Sequence, residues 1–249
     1  VTDKELAGKV ALVTGGSRGL GAASARRLAA SGADVAIAFH QEKDKAAAVV
    51  TDLRAVGVRA ELYQADLGIR VEAEAMVEQV ASDFGKIDIV VNSAGIFNGG
   101  PMGSLPAPDV ERLWAVNVHG TVATTQAAVA HMPDGGRIVL MGSVVGQRAA
   151  LAGFADYSAT KAALAMYARS WAHELAPRRI TANTVSPGFS MTDMGIPQET
   201  DLGRWALAGL PFHRYAEPEE VADAVAFLAG PGATYVSGVE IPVDGGWNA

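Results

Sequence analysis

Tyr157 and Lys161 stand four residues apart in the run Tyr157-Ser158-Ala159-Thr160-Lys161, which continues through the helix formers Ala162 to Met166. On a helix, positions i and i+4 share one face. The phenol and the ammonium therefore reach the same small volume. A free tyrosine titrates near ~10, too high for acid–base work at neutral pH. A fixed positive charge nearby favours phenolate and lowers that value. The pair is therefore predicted to be a proton-transfer device. Alone, the same spacing usually marks nothing more than an amphipathic surface patch. The rest of the chain must supply a reagent, a substrate pocket and a scaffold.

The reagent is indicated near the start. Val10 to Thr14 is a short apolar, β-branched run, and it leads into Gly15-Gly16-Ser17-Arg18-Gly19-Leu20-Gly21. A helix-like stretch, Ala22 to Ala30, follows. Strand, glycine-rich turn and helix in this order suit a phosphate. The glycines allow a tight turn and close backbone approach, and the helix start offers free N–H groups. Dinucleotide binding is the prediction.

Asp34 to Phe39 reads as the second strand. In dinucleotide folds an acidic residue near its end holds the adenosine ribose, whereas basic groups accept a 2′-phosphate. Phe39 or His40 takes that place, and neither is acidic. Arg18 is basic and His40 can assist. NADP(H) is expected over NAD(H), with Glu42 close enough to leave NAD(H) open.

The elements that position these groups can be read in order. A helix over 42–56, a strand over 59–65 ending at Asp66-Leu67, a helix over 70–84 and a strand over 87–92 follow one another. The last of these ends in Asn92-Ser93-Ala94-Gly95. Residues 98–108 read as a loop, and 109–131 as one long helix holding Asn117, a residue that helix propensity disfavours. A strand over 137–141 leads to Ser143. The helix of Tyr157 runs to about Leu175, and a strand over 180–185 ends at Pro187-Gly188. Residues 189–216 lack a clean period and fit a mobile flap. A helix over 217–228 and a seventh strand over 239–243 complete the pattern. Such alternation predicts an α/β fold: one doubly wound, seven-stranded parallel sheet with helices on both faces, in a single domain over 1–249. Ligands of such sheets bind beyond the carboxyl ends of the strands, where Asp66, Asn92 and Gly95 fall.

Composition narrows the class further. The chain has 249 residues, 19% of them charged, with net charge −7 and no cysteine. An acidic balance argues against a nucleic-acid partner, which needs phosphates neutralised by Lys and Arg. Without cysteine there are no disulfides, thiolate metal sites or cysteine nucleophiles. No apolar run approaches the length that spans a membrane. The mixed, polar start over 1–10 carries no visible secretory signal. A cytoplasmic protein is the expectation.

Together these landmarks resemble the short-chain dehydrogenase/reductase family over essentially the whole chain. The family's Thr-Gly-x-x-x-Gly-x-Gly turn stands at Thr14, Gly15, Gly19 and Gly21. Its Asn-Ser-Tyr-Lys set falls on Asn117, Ser143, Tyr157 and Lys161, and its Pro-Gly-x-x-x-Thr segment on Pro187, Gly188 and Thr192. One departure is visible: the usual Asn-Asn-Ala-Gly reads Asn92-Ser93-Ala94-Gly95. The resemblance implies a Rossmann-like fold and a proton-coupled hydride transfer. Tyr157 would protonate a carbonyl oxygen, Ser143 would hold that oxygen, and Lys161 would lower the tyrosine pKa and bond the nicotinamide ribose. Asn117 would anchor a water that resupplies the proton. Asp66, Leu67, Asn92, Ala94, Gly95 and Val118 would line the adenosine side of the cofactor. Ile96, Pro187, Gly188 and Thr192 would bracket the nicotinamide side. Ser17 and Leu20 would join the phosphate-binding turn, and Arg18 and His40 would meet a 2′-phosphate. No metal is required, and a homotetramer is implied.

Three functions fit this picture. The first is an NADP(H)-dependent carbonyl reductase or alcohol dehydrogenase acting on a small-molecule ketone or secondary alcohol. The second is a 3-oxoacyl carrier-protein reductase. Against it, residues 127–136 contain no Lys or Arg, His173 stands where an arginine is expected, and overall charge would repel an acidic carrier. The third is a cofactor-binding sensor or scaffold without turnover, which the intact Asn117, Ser143, Tyr157 and Lys161 disfavour.

Overall fold

The computed structural model describes residues 4–249. Residues 1–3, the head of the mixed, polar start, lie outside the described residues. Seven strands form one sheet: β1 (Val10–Thr14), β2 (Asp34–Phe39), β3 (Ala60–Gln64), β4 (Ile89–Asn92), β5 (Arg137–Met141), β6 (Thr181–Pro187) and β7 (Glu240–Val243). Every pairing is parallel, in the order β3-β2-β1-β4-β5-β6-β7. The order reverses between β1 and β4, and the chain leaves these two neighbours in opposite directions. A crevice opens at that switch point, beyond the strand carboxyl ends.

The helices are α1 (Gly19–Ala30), α2 (Lys43–Ala55), α3 (Arg70–Phe84), α4 (Ala107–Trp114), α5 (Thr121–Ala130), α6 (Ala155–Glu174), α7 (Asp201–Gly209) and α8 (Pro218–Ala229). They cover both faces of the sheet, which explains why β1 is apolar without alternation. Ala11 and Val13 join a core with Leu28, Val50 and Val225, from α1, α2 and α8. Leu12, between them, joins the opposite core with Val77, Ala128 and Leu164, from α3, α5 and α6. Burying a leucine this fully stabilises the fold by about 1.5–3 kcal/mol.

One buried carboxylate ties the foot of the switch point together. Asp88, just before β4, accepts the Val10 N–H at 2.9 Å and pairs with Lys9 at 3.1 Å and Lys86 at 2.9 Å. Burial pushes its carboxyl up, but these hydrogen bonds outweigh that and hold it below the ordinary carboxylate range.

Two expected elements differ from the structure. The stretch predicted as one helix over 109–131 is three pieces: α4 starts at Ala107, a π-helical turn covers Ala115–Gly120, and α5 resumes at Thr121. Residues 189–216 are not a structureless flap. They carry α7, capped by Thr200, whose Oγ1 accepts the Gly203 N–H at 3.0 Å. Ala206, Leu210 and Tyr215 are buried there against Phe189 and Trp247. Trp205 and Trp247 meet edge to face with centroids 5.5 Å apart, and Phe189 stacks on Tyr215 at 5.4 Å.

Candidate active site

A cleft of about 380 Å³ lies over the switch point. Its floor is the glycine turn between β1 and α1. Gly15 and Gly19 have φ of +65° and +53°, the left-handed region that favours glycine. A Cβ on Gly15 would sit 2.8 Å from the Ala94 Cα. A Cβ on Gly21 would run into the Gly15 carbonyl oxygen. At Gly15 and Gly21 the turn thus has no room for a side chain. The first turn of α1 has no side-chain cap and no acidic residue, so its free N–H groups and positive end face the cleft. This floor fits a pyrophosphate. The Thr14 hydroxyl stitches it to β4 by accepting the Ser93 and Ala94 N–H groups, each at 3.1 Å.

The adenosine end is built around Asp66. Its Oδ1 accepts the Gly68 N–H at 2.9 Å and the Arg112 guanidinium at 2.8 Å, and its Oδ2 lies 3.7 Å from the His40 ring. Burial pushes the carboxyl up, but Arg112, the Gly68 N–H and His40 prevail and hold it below the ordinary range. Asp66 thereby pins Arg112 of α4 at the cleft wall.

At the other end, Tyr157 sits in the first turn of α6, with Lys161 one turn on. Ser143 follows β5 in extended backbone and opens a short 3-10 turn, Val144–Gly146. A Cβ on Gly146 would lie 2.9 Å from the Ala162 N, so this glycine lets the serine loop press against α6. The half-buried Tyr157 packs against Phe97 edge to face at 5.2 Å, and Phe97 against Phe154 at 4.8 Å. Burial pushes the phenol up to about 12, with the Ser143 hydroxyl opposing the shift. Lys161 is buried and donates to the Met141 carbonyl at 2.9 Å. Burial lowers it to about 8. The sequence leads one to expect a phenol depressed by its lysine neighbour. In the free protein, burial sets the direction for both groups. At neutral pH the phenol is protonated.

Asn117 lies in the π-helical turn and is fully buried. Its Oδ1 accepts the Ile96 N–H at 2.8 Å, and its Nδ2 donates to the Ile96 carbonyl at 3.0 Å and to Thr160 Oγ1 at 3.2 Å. Thr160 Oγ1 donates to the Tyr157 carbonyl at 2.7 Å. The side chain is therefore committed to holding the loop at Ile96, beyond β4, against α6. A water on this residue would use its main-chain carbonyl, which already accepts Thr121 Oγ1 at 3.0 Å and keeps a second lone pair.

Gly15, Ser17, Arg18, Gly19, Leu20, Gly21, His40, Asp66, Leu67, Ala94, Gly95, Ser143, Tyr157, Lys161, Pro187, Gly188 and Thr192 all line the one cleft. Asn92, Asn117 and Val118 stand behind its wall, each buried. Asn92 Nδ2 donates to Thr125 Oγ1 at 2.9 Å, and its Oδ1 has no partner. Phe97, Arg112 and Asp193 also line the cleft, though no local sequence pattern marked them.

A family model described as enoyl-(acyl carrier protein) reductase matches residues 15–248. An oxidoreductase of Methylorubrum extorquens is 39% identical over 97% of this chain and 98% of its own length. A 3-oxoacyl-[acyl-carrier-protein] reductase of Staphylococcus aureus is 38% identical over 96% and 97%. Among solved structures, a short-chain dehydrogenase from Burkholderia cenocepacia in complex with NADP superposes with TM-score 0.96 at 43% identity, covering 98% of this chain and 100% of that one. A blue fluorescent protein from a metagenomic library, in complex with NADPH, gives 0.96 at 45%, with the same coverage. An α/β sheet with a dinucleotide cleft and a Tyr-Lys pair defines a nicotinamide-dependent oxidoreductase. The chain belongs to the short-chain dehydrogenase/reductase family.

Proposed function

We propose that this oxidoreductase interconverts a small, neutral, largely apolar ketone and its secondary alcohol. The observation that carries the reading is the meeting of Tyr157, Ser143 and Lys161 at one end of the cleft, beside an aromatic wall. The bound reduced nicotinamide would supply the hydride. Tyr157, neutral at pH ~7 with its pKa near 12, gives its proton to the carbonyl oxygen. Ser143 donates a hydrogen bond to the same oxygen and orients it. Lys161 places positive charge behind the phenolate as it forms, and the positive end of α6 adds to that field. Asn117 acts through Ile96 and Thr160 as a positioning residue. In the oxidative direction Tyr157 is the base.

The substrate end supports a neutral, apolar molecule. Phe97, Val145, Leu151, Phe154, Phe189 and Ile196 line it. Apart from Lys161, which backs Tyr157, the charged lining residues Arg18, Glu42, Asp66, Arg112 and Asp193 belong to the adenosine end.

Reduction of a 3-oxoacyl carrier protein is the second reading, favoured by the relatives that carry that activity in their names. The basic pair it would use is already engaged. Arg178 donates to the Val129 and Met132 carbonyls and pairs with Asp134 at 3.5 Å, and Arg179 lies 3.9 Å from the same carboxylate.

We further infer a cytoplasmic enzyme acting as one catalytic domain over 1–249 and assembling as a homotetramer. Met166, exposed on α6, and the half-exposed β7 support burial between subunits. No helix among the described residues is long and apolar enough to cross a membrane.

The test is loss of NADPH absorbance with a panel of aliphatic and aromatic ketones, run beside Tyr157→Phe. A 3-oxoacyl thioester joins the panel on a carrier protein and on a short pantetheine. Turnover of free ketones supports the first reading, and strong preference for the carrier-bound thioester selects the second. Equal background rates for both proteins would leave only a cofactor-binding role.

A further inference from the structure

The segment after β6 crosses the cleft mouth. Thr192 lies over the glycine turn, where a Cβ built on Gly19 would meet its Cγ2 at 3.5 Å. Asp193 comes next, and its Oδ2 lies 3.5 Å from Arg18 Nη1 and 3.5 Å from Lys45 Nζ. Arg18 caps the start of α1, and Lys45 projects from the first turn of α2. Lys45 is shared with Glu42 of the preceding loop, at 3.6 Å. Three elements separated in sequence thus place two cations around one carboxylate oxygen, with Arg18 and Asp193 lining the cleft and Lys45 reached through Asp193 just outside that lining.

We propose that Asp193 competes with the cofactor's 2′-phosphate for Arg18 and Lys45, and that Lys45 is the second cation of the phosphate subsite. The inference rests on the reading of Arg18 as a 2′-phosphate ligand. All three side chains are half exposed, so each ion pair is individually weak and screened by salt. A phosphate of nearly two negative charges, with three acceptor oxygens, displaces a single carboxylate from such a pair of cations. Without the phosphate, Asp193 holds the 189–196 segment across the mouth. With it, the carboxylate is repelled and loses its partners. The contact therefore sets how strongly the enzyme discriminates NADPH from NADH.

The test measures dissociation constants for NADPH and NADH, by cofactor fluorescence, in a phosphate-free buffer of low ionic strength. The proteins are wild type, Asp193→Asn, Lys45→Met and Arg18→Met. Asp193→Asn should tighten NADPH about 2–5-fold and leave NADH within about 2-fold. Lys45→Met should weaken NADPH about 3–10-fold and spare NADH. Both effects should shrink as salt rises. An Asp193→Asn protein that binds NADPH more weakly, or that shifts both cofactors alike, overturns the proposal. If Arg18→Met collapses the NADPH-to-NADH ratio while the other two variants leave it unchanged, only this inference fails. If Arg18→Met spares the ratio, the Arg18 assignment itself fails.

Discussion

The Lys161 ammonium stands 5.7 Å from the centre of the Tyr157 ring while donating its hydrogen bond to the Met141 carbonyl. The two groups share a volume without a direct hydrogen bond. The lysine can therefore reach the phenol only through space, and it is anchored by a strand. Its charge is stationed beside the phenol, at a cost that the free protein carries.

That cost is measurable as stability. The lysine titrates near 8 in the folded protein and 10.5 in the reference state. Between these values the unfolded chain binds more protons, so stability rises with pH across that window. Below about 8 the penalty is fully present. Lys161→Met should therefore raise the melting temperature at pH ~7 by about 2–6 °C, equivalent to about 1–2 kcal/mol, with the lost Met141 hydrogen bond offsetting part of the gain. The difference should narrow as pH climbs from 8 to 10.5. Thermal melts of the cofactor-free proteins across that range check the sign. A variant that is less stable at pH ~7 than at ~10.5, relative to wild type, contradicts it.

Tyr157→Phe removes the proton and little else. The turnover number should fall about 10²–10⁴-fold. NADPH affinity should stay within about 3-fold, because the phenol oxygen is not part of the glycine floor. Steady-state kinetics and cofactor titration together separate loss of chemistry from loss of binding.

Asn117→Ala should strip three hydrogen bonds from a fully buried site, leaving both main-chain groups of Ile96 unpaired. The expected cost is about 2–4 kcal/mol of stability, read by urea unfolding. Asn117→Asp retains the acceptor toward the Ile96 N–H but loses the donor, and it should recover only part of that stability.

Gly21→Ala places a methyl against the Gly15 carbonyl oxygen, which belongs to the backbone and cannot swing aside. NADPH should bind at least about 10-fold more weakly, and stability should drop by about 1–3 kcal/mol. Gly57→Ala is the control for a surface glycine: nothing lies near its Cβ, so only the strain of its φ of +90° should register.

The strands were legible because each is an apolar, β-branched run closed by a turn residue, and the parallel sheet leaves both faces dry. Tyr157 and Lys161 were legible because one helical turn joins them. The π-helical turn was not. Ala115 to Gly120 carries the composition of an ordinary helix, and the partners that Asn117 meets from the wider turn, Ile96 and Thr160, lie 21 and 43 residues away. Helix α7 was hidden by Gly203, which looks like a breaker. The structure needs it because a Cβ there would strike the Pro197 carbonyl oxygen. Arg112 and Asp193 gave no signal because their partners lie 46 and 175 residues away. Long-range electrostatics of this kind leaves no local pattern.

Trp205 rides on α7, and Trp247 belongs to the segment after β7; their rings are nearly perpendicular at van der Waals range. The chain has only four tryptophans. Half of its indoles therefore sit where α7 meets the segment after β7. Any change in the packing of that junction should therefore register in the intrinsic fluorescence of the protein, with no dye attached.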